Sequence, residues 1–221
     1  MSIDKNLITD IEGEAKKFFK GSSGCHDWTH IKRVRNLSLN IGKEERADLY
    51  ILEVAALLHD VGRKEEMESK GLFCHAEKSA EIAKEILARY NLDRNILENI
   101  IHCIQTHRFR KGDAPKTIEA KVLFDADKLD SLGAIGVARN FLFAGRAGSG
   151  NLYTGNEKEF AKSKEDHSFT KEDSAILEYE IKLKYVKDRI LTKAGQKIAQ
   201  ERHNFMEDFF NRFWQEVEGS K

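Results

Sequence analysis

The chain has 221 residues, with 37 lysines and arginines against 37 aspartates and glutamates, so its formal net charge is zero. This balance argues against a dedicated surface for polymeric nucleic acid, and no apolar run reaches the roughly 20 residues of a membrane-spanning helix. The polar N-terminus lacks a signal-peptide core, and three cysteines are too few for a disulfide framework. We therefore expect a cytoplasmic protein without a membrane partner.

A single proline and many Ala, Leu, Glu and Lys residues predict an all-α protein. Apolar residues recur at helical spacing in successive segments, which predicts helices at about 2–20, 27–41, 48–62, 75–90, 93–106, 174–191 and 195–217. Asp48 and Asp93 are suited to cap two of these helices. Residues 63–73 are predicted to form a loop, and the polar region 145–166 a flexible connection. No repeat or linker separates two cores, so one domain spanning 1–221 is expected.

Two neighbouring polar residues interrupt the apolar run at 54–58. His59 and Asp60 follow this run directly, and burying either side chain alone is costly without a compensating partner. A metal ion shared by the two would supply that partner. The pair therefore indicates a metal site at the end of a buried helix.

Six of the eight histidines lie on, or directly next to, four predicted helices whose apolar sides must meet. Neutral imidazole suits Mn, Fe, Ni, Co or Zn, and aspartate adds negative charge and tolerates harder ions such as Mg. A mixed set favours one divalent transition metal with open positions for water or a phosphate oxygen. The six residues are His26, His30, His59, His75, His102 and His107.

The order of three motifs resembles the HD-domain metal-dependent phosphohydrolase superfamily, and in particular its small uncharacterised bacterial subgroup. The motifs are His30-x-x-Arg33-Val34, His59-Asp60 and Asp125-Ala126-Asp127-Lys128-Leu129-Asp130. The resemblance covers about residues 26–139. It implies a single all-α, HD-domain-like helical bundle, here with extra C-terminal helices at about 174–217.

The resemblance also implies which side chains bind the metal. The implied ligands are His30, His59, Asp60 and Asp127. His30 is preferred to His26 because Val34 occupies the position of the family's valine, four residues after the ligand. Asp127 is preferred to Asp125 because a basic residue and a leucine follow the family's aspartate.

Other residues near the motifs receive supporting roles. Binuclear members of the superfamily carry further ligands where this chain has His75 and His107, so a second metal, phosphate contact and packing all remain open for them. His26, Asp125 and Asp130 are expected to assist ligands or to contact substrate, with a role at a helix start as the alternative for the two aspartates. His102, His167 and His203 are expected to be structural.

The implied activity is hydrolysis of a phosphorylated small molecule, with a nucleotide as the first expectation. Metal-activated water would attack phosphorus while Asp60 and Asp127 hold or deprotonate it. Arg63 and Lys64 are expected to neutralise phosphate oxygens.

The general acid is left open. Some nucleotidases of the superfamily have glutamate three residues after the HD aspartate, where this chain has Arg63. His75, Lys128 and Glu66 are the alternatives for this role.

Two other classes of function are considered. The segment His26-Asp27-Trp28-Thr29-His30 has the i, i+4 histidines of a zinc-peptidase helix, with Asp27 in place of the usual glutamate base. A metal-stabilised helical module that binds a nucleotide or partner without catalysis is the other alternative. Whether the chain forms a homodimer is left open.

Overall fold

The protein, described here from a computed structural model, is built from α-helices without strands in the described residues, which are 5–22, 24–68, 74–108, 114–147, 150–163, 170 and 172–221. The prediction of an all-α fold is confirmed. Within that part of the chain, no helix has both the length and the apolar character to cross a membrane. The helices are α1 (Lys5–Phe18), α2 (Trp28–Glu45), α3 (Leu49–Leu58), α4 (Arg63–Glu68), α5 (His75–Leu87), α6 (Arg94–Thr106), α7 (Ile118–Leu129), α8 (Gly133–Ala147), α9 (Glu157–Ser163), α10 (Ala175–Ile181), a 3-10 helix (Leu183–Arg189) and α11 (Lys193–Val217).

The chain divides into two compact units. Unit 1 comprises Met1–Asp127 together with Leu191–Gly195, and unit 2 comprises Lys128–Ile190 together with Gln196–Lys221. The single domain expected from the sequence stays a prediction.

Helix α3 lies at the centre of unit 1. It packs against α1, α2, α5 and α6, and all of its residues from Val54 to Leu58 are buried. A helix that is apolar all round must be enclosed by others. Its C-terminal end therefore delivers His59 and Asp60 into the interior of the unit.

Aspartates fix the starts of three helices in unit 1. Asp27, Asp48 and Asp93 precede α2, α3 and α6, and each accepts hydrogen bonds from two backbone N–H groups of the first turn. These contacts satisfy donors that a helix start leaves without intrahelical partners. The predicted caps at Asp48 and Asp93 are confirmed.

A tight turn connects α3 to α4. Gly62 lies there against α5: its N–H donates to Ser79 Oγ at 2.9 Å, and a Cβ atom on it would come within 2.6 Å of the Ser79 backbone nitrogen. The loop predicted at 63–73 is wrong for its first part, because Arg63–Glu68 form α4. Arg, Lys and Glu are good helix formers. Glu65 and Glu66 lie in the first turn, where negative side chains interact favourably with the helix dipole. Residues 69–73 lie outside the described residues.

Unit 2 is organised around aromatic side chains of α8, α10 and α11. The rings of Tyr179 and Phe210 stack with centroids 4.1 Å apart, and Phe141 packs against Phe210 at 6.4 Å. Phe210 is buried, whereas Phe205 is exposed, so the phenylalanine-rich last helix is only partly a core helix.

Two predictions in unit 2 need correction. The helix predicted at 174–191 is interrupted at Lys182, whose φ of −138° and ψ of −56° end α10 before the 3-10 helix begins. The polar region 145–166 contains α9, whose buried Glu157 accepts hydrogen bonds from Gly155 N (3.0 Å) and Ser174 Oγ (3.1 Å). These bonds anchor a helix that lacks apolar periodicity. Residues 148–149 and 164–169 lie outside the described residues, and His167 with them.

Candidate metal centre

The start of α2 supplies two histidines. His30 is fully buried, and its Nε2 lies 3.4 Å from Asp127 Oδ1 and 3.8 Å from Asp60 Oδ2. His26 precedes the helix, and its Nδ1 lies 3.3 Å from Asp60 Oδ2. The Asp27 cap between them accepts from the His30 N–H at 3.2 Å. This cap thereby fixes the first turn of α2, which carries His30, and lies directly after His26.

The end of α3 fixes the tautomer of His59. Its Nδ1 lies 2.8 Å from the Ala56 carbonyl oxygen, so Nδ1–H is the donor and Nε2 keeps its lone pair. Burial lowers the pKa of His59 to about 4, which makes the imidazole neutral at neutral pH. Among the described residues, the buried Nε2 has no hydrogen-bond partner. A buried lone pair of this kind is suited to a metal ion.

His107, after α6, is held in the same way. Its Nδ1 lies 2.6 Å from the Ile104 carbonyl oxygen, so its Nε2 also presents a lone pair. This Nε2 lies 3.2 Å from Nε2 of His75, a residue whose pKa is lowered by burial to about 3. Two imidazole nitrogens at this distance need a proton or a cation between them.

The Asp60 carboxylate lies between the two sets of histidines. Its Oδ2 faces His26, His30 and His59, and its Oδ1 lies 3.2 Å from His75 Nε2 and 3.7 Å from His107 Nε2. Burial alone would raise the pKa of Asp60, but the surrounding histidines hold it well below its ordinary value. The site therefore contains a buried anion at its centre.

These side chains form three overlapping groups that could hold a metal ion, each with ligand atoms within 4.8 Å of one another. Neutral imidazoles combined with carboxylates fit Mn, Fe, Co, Ni or Zn. The four predicted ligands, His30, His59, Asp60 and Asp127, all belong to these groups, and so do His26, His75 and His107. The groups are His26–His30–Asp60, His30–His59–Asp127 and Asp60–His75–His107.

Charged residues of α4 and the end of α6 lie next to His75. Glu66 Oε2 lies 2.8 Å from His75 Nδ1, and Arg63 Nη1 lies 3.0 Å from the same nitrogen. Arg108, which the sequence reasoning did not consider, pairs with Glu66 and lies 3.1 Å from His75 Nδ1. The signal available in the sequence was its position directly after His107.

The remaining predicted site residues have other surroundings. Lys64 is exposed on α4, and Lys128 is half-buried directly after Asp127 in α7. Asp125 accepts hydrogen bonds from Leu191 N, Thr192 N and Thr192 Oγ1. Burial raises the pKa of Asp125 above its ordinary value. The catalytic roles of both lysines stay predictions.

Asp130 and two of the predicted structural histidines have local partners. Asp130 is buried and forms an ion pair with Arg139 within unit 2. His102 Nε2 accepts the Lys116 N–H at 3.0 Å, and His203 Nε2 lies 3.3 Å from Glu207. Like Asp125, Asp130 has a partner that holds the chain in place, and a direct role for either aspartate at metal or substrate stays a prediction.

The geometry does not favour a zinc peptidase. That motif needs both histidines on one helix with an acidic base between them, whereas His26 precedes α2, which begins at Trp28. Asp27 is the N-cap and accepts from Thr29 N, Thr29 Oγ1 and His30 N. Its carboxylate is thus engaged at the helix start.

Comparisons with known proteins identify the family of this chain. The protein-family model for the HD domain matches residues 27–132 of this chain. The uncharacterised protein YpgQ of Bacillus subtilis is 35% identical over 202 residues, which are 90% of this chain and 87% of YpgQ.

Solved structures show the same fold. The crystal structure of B. subtilis YpgQ in complex with ADP superposes with a TM-score of 0.72 at 30% identity, over 96% of this chain and 95% of that one. An HD-superfamily hydrolase from Bacillus thuringiensis gives a TM-score of 0.73 at 27% identity, over 97% and 98% of the two chains. These findings define a class of helical proteins with a buried histidine–aspartate centre. The chain belongs to the HD superfamily of hydrolases, which confirms the resemblance found in its sequence motifs.

Proposed function

We propose that the protein is a divalent-metal-dependent phosphohydrolase that acts on a phosphorylated small molecule, a nucleotide in the first instance. The observation that carries this proposal is the buried Asp60 carboxylate, which has histidine nitrogens facing both of its oxygens. The ADP in the YpgQ crystal structure supports a nucleotide as the ligand.

His30, His59, Asp60 and Asp127 would hold the metal. When bound, the metal supplies positive charge that activates water and offsets charge on the phosphoryl group. His59 is suited to this role because its Nδ1–H is bound to a carbonyl and its Nε2 is available. Asp127 retains 17% of its side-chain exposure, whereas Asp60 retains 2%. This greater exposure supports Asp127 as the carboxylate that would accept a proton from water.

A second metal is favoured by one specific observation. His75 Nε2 and His107 Nε2 face each other at 3.2 Å beside Asp60 Oδ1, so a cation there would share the Asp60 carboxylate with the first. Metal analysis at saturation tests this: two ions per chain support the second site. One ion per chain would remove His75 and His107 from ligand roles.

Turnover by the purified full chain tests the proposed function. Nucleoside mono-, di- and triphosphates, a model phosphodiester and a model phosphomonoester are each incubated with Mn, Ni, Co or Mg. We expect hydrolysis of one class, reduced at least about a hundredfold in Asp60→Asn because a charged metal ligand is lost. Asp10→Asn, an exposed aspartate of α1, is the matched control and should retain activity.

The alternatives predict different results. ADP binding without product under every metal would favour the non-catalytic binding module. Cleavage of casein without any phosphate release would favour the peptidase.

A further inference from the structure

Two arginines converge on one glutamate next to the metal-binding histidines. Arg63 and Glu66 lie on α4, and Arg108 follows α6. Arg63 Nη1 lies 3.4 Å from Glu66 Oε2, and Arg108 Nη1 pairs with Glu66 Oε1. The same two Nη1 atoms lie 3.0 Å and 3.1 Å from Nδ1 of His75. Two cations thus share a single carboxylate.

This cluster contains more donors than acceptors. A guanidinium carries five N–H donors, yet the side-chain hydrogen bonds and ion pairs of Arg63 and Arg108 with the described residues all involve Nη1. Nε and Nη2 of both arginines have no partner in that part of the chain. Glu66 Oε2 also lies 2.8 Å from His75 Nδ1. Within the described ranges, both arginines thus keep donors that could bind a further anion.

The cluster also lies at the boundary between the buried site and solvent. The side chains of Arg63 and Arg108 are 25% and 20% exposed, and that of Glu66 is 14% exposed. His75, which all three contact, is buried, and its Nε2 lies 3.2 Å from Asp60 Oδ1. An anion bound by the two arginines would therefore lie beside the metal-binding groups and still be reachable from outside.

We propose that Arg63 and Arg108 form a phosphate site and that Glu66 occupies it in the absence of substrate. This inference rests on the proposed function and names residues for its substrate. A phosphate group offers three oxygens to paired guanidiniums, which bind such groups bidentately. Incoming phosphate takes the arginine donors from Glu66, whose carboxylate stays beside His75 Nδ1.

The proposal predicts opposite changes in phosphate affinity when Glu66 or its ion-pair partner Arg108 is substituted. Glu66→Gln removes the competing negative charge and leaves the arginines available, so phosphate binds more tightly. Arg108→Met removes half of the site, so phosphate binds more weakly. A purely structural ion pair would weaken binding in both variants because either change would disorder the same contacts.

Calorimetric titration with ADP tests this on the full chain, once with EDTA and once with saturating Mn. We expect Glu66→Gln to tighten ADP binding about threefold, the range of a partly exposed ion pair. Arg108→Met should weaken it about tenfold, since hydrogen bonds to charged groups are lost. Arg94→Met is the matched control, because Arg94 pairs with Glu98 at 2.7 Å on an exposed surface. Its ADP affinity should equal that of the wild type.

Several results overturn the proposal. It fails if Glu66→Gln binds ADP with unchanged or lower affinity, or if the wild type binds no ADP in either condition. Should Arg108→Met not fold, Arg108→Lys replaces it, and a charge without the planar fork should still weaken binding.

The two proposals can fail separately. Turnover by the wild type with unchanged ADP affinity in both variants refutes the phosphate site alone. Opposite affinity changes without turnover of any substrate refute the phosphohydrolase alone.

Discussion

His59 and His107 are oriented by the same local device. Each follows the last residue of a helix, and each places its Nδ1 against the carbonyl oxygen three residues earlier, that of Ala56 or Ile104. Carbonyls in the last turn of a helix lack intrahelical donors, so the ring satisfies one of them and is fixed by it. The chain thereby uses backbone carbonyls of its own helices to direct two Nε2 lone pairs inward.

The neutral state of His59 gives the metal-free protein a pH-dependent stability. Burial lowers its pKa to about 4 from an ordinary 6.5, so between these values the unfolded chain binds a proton that the folded chain does not. The free energy of unfolding is therefore constant above about pH 6.5 from this source and falls as the pH drops toward 4. The loss is on the order of 3 kcal/mol at most, and His75 adds to it with the same sign.

Urea unfolding in EDTA at a series of pH values measures this loss. The slope between pH 6.5 and 4.5 should be smaller in His59→Gln than in the wild type. Equal slopes in the two proteins would show that His59 is not the buried group responsible.

At the scale of the helix, two caps with matching contacts allow a local role to be separated from stability. Asp27→Ala and Asp93→Ala each remove a carboxylate that accepts two backbone N–H groups, and each should cost about 1 kcal/mol of unfolding free energy. Asp27 also fixes the turn between His26 and His30. Calorimetry with Mn should therefore show weaker metal binding in Asp27→Ala only, and equal affinities in the two variants would refute that role.

Two glycines should respond oppositely to the same substitution. A Cβ on Gly62 would lie 2.6 Å from backbone nitrogen of Ser79, whereas one on Gly13 meets nothing within 4 Å. Gly62→Ala should destabilise the protein by about 1–3 kcal/mol through overpacking. Gly13→Ala should stabilise it by about 0.5–1 kcal/mol, because glycine is costly inside a helix. Chemical denaturation measures both, and a stable Gly62→Ala would contradict the close packing of α4's turn on α5.

The sequence predicted helices where apolar residues recur at helical spacing over three or more turns, as in α2, α5 and α6. It failed for α4 and α9, which are short and charged and are fixed by contacts such as those of Glu157. It also missed the interruption at Lys182, because apolar residues continue on both sides of it. The spacing of apolar residues indicates which face of a helix is buried, but it gives little information on where the backbone bends.

The motif residues of the candidate site could be predicted from the sequence, but the residues around them were harder to predict. Adjacent polar residues after an apolar run indicated His59 and Asp60, and the family pattern extended this to His30 and Asp127. Arg108 could not be found in this way, because its link to Glu66 joins residues 42 positions apart. Such a contact depends on how the ends of α4 and α6 meet, which no local pattern encodes.

At the scale of the molecule, the metal should act as a cross-link within unit 1. The candidate ligands come from segments between His26 and Asp127, all of which belong to that unit. A ligand that binds only the folded state stabilises it by about 2.7 kcal/mol at a hundred times its Kd. Differential scanning calorimetry should show a higher Tm with Mn in the wild type and no shift in His59→Gln, and a shift in both would place the ion elsewhere.

The short segment Leu191–Gly195 belongs to unit 1, although the residues before and after it belong to unit 2. The backbone N–H groups of Leu191 and Thr192 donate hydrogen bonds to the buried Asp125 carboxylate, and Ala194 N donates to Glu45 at 2.7 Å. A fragment cut at residue 132, where the match to the HD domain ends, would remove the three donors that Leu191 and Thr192 supply to Asp125. Truncation at that point should therefore lower the free energy of unfolding of unit 1, because a buried carboxylate without its hydrogen bonds is costly.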